Sequence, residues 1–138
     1  MSTKITVDNQ AGTIKYVADP ISPQLYDLAG EISGTPPINT RVFDFKAIRA
    51  FTIKTSGVAG CVTAPSGGSV TYTITKLADI GGGTTSVGTI AFADGDTEGT
   101  VTISSEVSVA VNDIIYISSP SDIRSMYTVF WTLNGICP

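Results

Sequence analysis

Between Ala64 and Asp113 the chain leaves little choice of secondary structure. From Ser69 to Lys76, apolar Val70, Tyr72 and Ile74 alternate with Thr71, Thr73 and Thr75. A period of two buries one face of a strand and wets the other. Gly81, Gly82 and Gly83 end this run, and Asp94-Gly95-Asp96 parts Ser86–Phe92 from Gly99–Ile103. Both breaks are turn signals. Successive strands with turns between them, over about fifty residues, make an antiparallel all-β module.

The pattern extends on both sides. Val42 to Thr55 carries Phe43, Phe45, Ala47, Phe51 and Ile53, with Arg49, Thr52 and Lys54 on the other face. Ser56 to Gly68 reads as a loop, with Cys61-Val62 as a short pairing. Val107, Val109 and Val111 alternate with small residues, Ile114–Ile117 is continuously apolar, and Tyr127, Val129, Trp131 and Leu133 share one face of a last strand. About eight strands at this spacing predict an antiparallel β-sandwich or jelly-roll-like domain over residues 42–138. Charged residues are only 14% of the chain, so 19 Thr and 14 Ser must supply most of the polar surface. Threonine is β-branched and suits the wet face of a strand.

Residues 1–41 read differently, as an extended N-terminal arm. Lys4–Val7 and Thr13–Val17 form a short hairpin, which is marginal in water unless it docks on something. Ser22 suits an N-cap, Pro23 the first helical position and Gly30 a stop, predicting a helical turn through Leu25, Tyr26 and Leu28. Pro36-Pro37 then forbids helix or central strand. Ordering each residue costs roughly 1–2 kcal/mol of backbone entropy. The arm therefore needs a surface for Ile5, Val7, Ile14, Tyr16, Leu25, Tyr26, Leu28 and Ile32. Either it adds strands to its own sandwich or, the reading favoured, it reaches onto a neighbouring subunit.

The net charge is −4, and the eight basic residues are scattered singly. No stripe exists to follow a row of phosphates, which argues against nucleic acid. The N-terminus lacks the apolar core of a signal peptide, and no apolar run reaches the ~20 residues of a membrane span. The expectation is a soluble chain made in the cytoplasm. Cys61 and Cys137 fit two small buried thiols better than a bridge, although the first and last strands of a sandwich can be neighbours.

Catalytic signals are missing. With no histidine, the commonest general base and every Ser-His or Cys-His dyad are gone. No glycine-rich phosphate loop or nucleophile elbow is present. Trp131, the single tryptophan, lies in a strand pattern and reads as core. The chain is expected not to be an enzyme and to need no cofactor. Asp94, Asp96 and Glu98 match the first half of an EF-hand loop. The twelfth position would be Ser105 and the flanks are strands, so they remain weak metal candidates; an Asp-Gly hairpin turn is the simpler reading. Arg124, within Ser121–Ser125, reads as part of a solvated loop.

The runs A-P-S-G-G-S-V-T-Y-T-I-T-K, V-G-T-I-A-F-A-D-G-D-T-E-G-T-V-T-I, V-A-V-N-D-I-I-Y-I and T-V-F-W-T-L-N-G together resemble a β-sandwich module of tailed-bacteriophage virion proteins, found on capsid decoration (cement) proteins, collars and tail fibres. The likeness covers about Phe43 to Gly135 and is a spaced pattern. It implies a structural or adhesive role. With one arm and one sandwich, the chain looks like a cement protein: a homotrimer on the outer capsid surface of the virion, whose arm binds the major capsid protein and stabilises the head. The alternative is a tail, collar or head-fibre component that adheres to host-surface glycans.

Overall fold

The computed structural model describes residues 24–138 and, before them, the backbone of two strands, β1 (Thr3–Asp8) and β2 (Thr13–Ala18). Among the described residues there is no helix. Ten further strands follow: β3 (Gln24–Leu25), β4 (Leu28–Ile32), β5 (Arg41–Lys46), β6 (Phe51–Thr63), β7 (Val70–Leu77), β8 (Thr84–Phe92), β9 (Glu98–Thr102), β10 (Val107–Val109), β11 (Ile114–Ser118) and β12 (Tyr127–Cys137). All pair antiparallel in one sheet, in the order β3-β12-β6-β9-β8-β7-β11-β5, with β4 beside β12 and β10 beside β6.

The sheet curls into a half-barrel, so the two layers of the expected sandwich are two parts of one hydrogen-bonded sheet. Alternation carries the curl. Val70, Tyr72 and Ile74 of β7, Ile90 and Phe92 of β8, Ile115 and Ile117 of β11, and Val129, Trp131 and Leu133 of β12 all point into one core and are buried. On the outside of β7, Thr71 and Thr73 stand exposed, as the threonine count required.

The end strands, β4 and β5, meet across a seam that side chains close. Tyr26 packs on Phe51 and Phe45 with ring centroids 4.8 and 6.4 Å apart, and Phe43 meets Trp131 edge-on at 5.2 Å. Gly30 lies between the last two rings, and a Cβ there would fall 2.8 Å from Phe43 Cε1.

Two expectations are corrected. The helical turn through Leu25, Tyr26 and Leu28 is absent: these residues lie on or between β3 and β4, which run along β12 with Leu28 opposite Leu133 and Ile32 opposite Val129. The open edge of β12 offers a complete ladder of backbone partners, and that outweighs the capping signal at Ser22-Pro23. Gly30 is a place of close approach inside a strand, not a helix stop. Residues Gln24–Leu25 and Leu28–Ile32 thus pair into the same sheet as the strands after Val42.

The second correction concerns Ser56–Gly68. β6 continues through this stretch to Thr63, with Cys61 opposite Val129 and Gly60 opposite Phe130. Its glycines admit close neighbours, since a Cβ on Gly60 would fall 2.6 Å from the Phe130 ring.

Candidate functional site

Of the eight arm residues expected to bind a partner, four fall on β1 and β2. The register sets Ile5 opposite Tyr16 and Val7 opposite Ile14, and the side chains of these residues lie outside the described residues. The other four separate. Leu28 and Ile32 are buried in this chain's own core. Tyr26 is half-buried at the seam, its backbone N–H donating to Gly135 O at 2.8 Å. Leu25 alone is free for a partner, 82% exposed.

The acidic turn is a turn. Gly95 takes φ 77° between β8 and β9, and its N–H donates to Pro65 O at 2.8 Å. Asp94 Oδ1 accepts the Gly67 N–H at 3.1 Å and Asp96 Oδ1 accepts the Glu98 N–H at 3.0 Å. Each aspartate thus serves its own or a neighbouring loop. Among the described residues no three histidine, cysteine or acidic side chains converge as metal ligands would. Arg124 is also used locally: its Nε lies 3.2 Å from Asp122 Oδ2, and its guanidinium covers Gly68.

Cys61 and Cys137 are free and buried. Cys61 pairs with Val129 and Cys137 lies eight residues further along the same β12, about 25 Å away at strand rise. A bridge between them is excluded. Burial, then the charge of Asp96, pushes the Cys61 thiol up, away from the thiolate a nucleophile needs. Tyr72, on β7, is pushed up to about 12 by burial and then by Cys61, and its hydroxyl and the Trp131 indole N–H are buried without a hydrogen-bond partner. Trp131 is core, 3% exposed.

The two rims of the half-barrel differ. At the far rim the connections 33–40, 64–69, 93–97 and 119–126 carry Asp94, Asp96, Asp122 and Arg124. At the near rim lie the ends of β5, β7, β10 and β12, the start of β3, and the connections 47–50, 78–83 and 110–113. The near-rim connections are tied together by Asp113, a buried carboxylate. Its Oδ2 accepts the Ala110 N–H at 2.9 Å and its Oδ1 the Asp79 N–H at 3.1 Å. Its carbonyl accepts the Ala47 N–H at 2.9 Å, and the Asn112 N–H returns a bond to Ala47 O at 2.8 Å. The hydrogen bonds from Ala110 and Asp79 hold the carboxyl below its ordinary value, aided by Lys76 and opposed by burial. Asn112 completes the turn at φ 72°, a conformation asparagine tolerates better than most residues.

Beside this clasp, on three different connections, stand Ile48, Ile80 and Val111, exposed by 74%, 92% and 50%. Nothing in the sequence grouped them, because Ile48 and Ile80 belong to no periodic run and Val111 read as the end of an alternating strand. A second apolar surface, the outer face of β6 and β12 with Val58, Val62 and Phe130, is also exposed. No family model matches this chain. No curated protein matches it either.

Proposed function

We propose that the chain is a non-enzymatic structural protein of a tailed-phage virion: a capsid cement protein that binds the major capsid protein shell from outside, as a homotrimer, and stabilises the head. The observation that carries this reading is how the N-terminal segment is rooted. Gln24 pairs with Cys137 at the near rim, and in the described residues β1 pairs with β2 and with no other strand. A two-stranded sheet is marginal by itself in water, and in the cement reading the capsid shell supplies the surface on which it docks. Many tethered copies on one shell add avidity to such contacts. The resemblance of residues 43–135 to phage virion modules points the same way, and the inert thiols and locally bonded carboxylates suit a structural role.

The deciding measurement is the copy number of this chain in the purified particle whose genome encodes it. Hundreds of copies are expected for a shell protein. A handful would move it to the tail, collar or head fibre, with glycan adhesion through the polar far rim. Absence from the particle would overturn both readings.

A further inference from the structure

We infer that the near rim is itself a docking surface, with Ile48, Ile80 and Val111 as the β-domain's apolar footprint on the protein surface that holds residues 1–23. This rests on the cement reading above. Single exposed aliphatics are ordinary, but a contiguous group marks an interaction site. Here one aliphatic from each of three connections stands next to a residue of the Asp113 clasp: Ile48 follows Ala47, Ile80 follows Asp79 and Val111 precedes Asn112.

The clasp fixes these tips before any partner arrives. A buried carboxylate holding two backbone amides, with backbone bonds between Ala47, Asn112 and Asp113, leaves little loop entropy to lose on docking.

The chain's path supplies the direction. The residues that precede β3 join it at this rim, where Leu25 is also exposed. Between Ala18 at the end of β2 and Gln24 there are five residues, which reach about 20 Å at full extension. Wherever the hairpin is held, the near rim must therefore lie within that distance of the same surface. Lys46, Arg49 and Asp79 around it are of mixed sign, so the partner surface is apolar and near neutral, not a phosphate array.

The test uses the full-length chain and heads that lack it. The variant Ile48→Asp/Ile80→Asp/Val111→Asp is compared with Val58→Asp on the side face. All four positions are at least half exposed, so thermal unfolding should match the wild type. We expect the triple variant to bind heads about tenfold or more weakly, and Val58→Asp to bind as the wild type does. Triple-variant binding within about twofold of wild type would overturn the footprint while leaving the cement reading standing. Wild-type chain that does not bind heads would overturn both. Unimpaired head binding with loss of self-association would assign the rim to a second copy instead. As a check independent of variant folding, Ile80→Cys carrying an environment-sensitive dye should shift to the blue on head binding, since Cys61 and Cys137 are buried from the label. An unshifted emission spectrum on saturated heads would also overturn the footprint.

Discussion

Asp113 carries more of the structure than any other polar residue described above. Two backbone amides and two backbone bonds converge on it, joining three connections that are far apart in sequence. Asn at this position keeps one acceptor oxygen and loses the charge, so Asp113→Asn should destabilise by roughly 2 kcal/mol at neutral pH. The sign of the pH dependence follows from the lowered carboxyl pKa. The stabilisation is complete above the unfolded carboxyl's range and fades as pH falls through the lower folded value. Urea unfolding of both proteins should show their gap closing on acidification. A gap unchanged to about pH 2 would mean that shape, not charge, is at stake. The sequence placed Asp113 only at the end of an alternating stretch. Its role was hidden because Asp79 and Ala47 reach it only through the pairing of β11 with β7 and β5.

At the level of elements, β4 shows where local signals fail. Ser22-Pro23 and Gly30 favour a helix, yet Leu28, Gly30 and Ile32 face the core on a strand along β12. Alternation was present in those five residues but too short to outweigh the caps, and no strand-like flank marked it. The strands β7, β8 and β9 were legible because each couples alternation to a Gly or Asp-Gly break, and β11 because it is a short continuously apolar run. β6 was legible only to Thr55, since Ser56, Gly57 and Gly60 look like loop until their neighbours Thr132 and Phe130 are known. This predicts different outcomes for two truncations. Removing residues 1–23 should leave the melting temperature of the β-domain nearly unchanged while abolishing tight head binding. Removing residues 1–41 takes away Leu28 and Ile32 and uncovers the edge of β12, and loss of one buried Leu alone costs about 2–5 kcal/mol. That protein should melt far lower or fail to fold. Equal stability of the two truncations, by circular dichroism, would place the domain boundary back at Val42.

At the scale of the whole molecule, the chain is a half-barrel with unlike ends. One rim holds charged, hydrogen-bonded loops; the other holds three pinned aliphatic tips and the junction with residues 1–23. If that rim and the arm make the contact with the shell, association depends on apolar burial more than on ion pairs. Exposed charges are screened within about 10 Å at moderate salt, whereas apolar contacts are not. Head affinity should therefore change by less than roughly threefold across a tenfold rise in salt. A steep loss, measured by pelleting heads at each salt concentration, would show that scattered Lys and Arg residues hold the protein in place.

From its residues alone this chain is an all-β protein with a hydroxyl-rich surface, because alternation and turn chemistry act within a few residues and need no distant partner. Which strands are neighbours, that residues 24–32 join the sheet, that Cys61 and Cys137 stand far apart, and that Ile48, Ile80 and Val111 share one rim were decided only by the tertiary structure. Those facts depend on pairings between segments as many as about a hundred residues apart in sequence, and no local pattern in either segment specifies them.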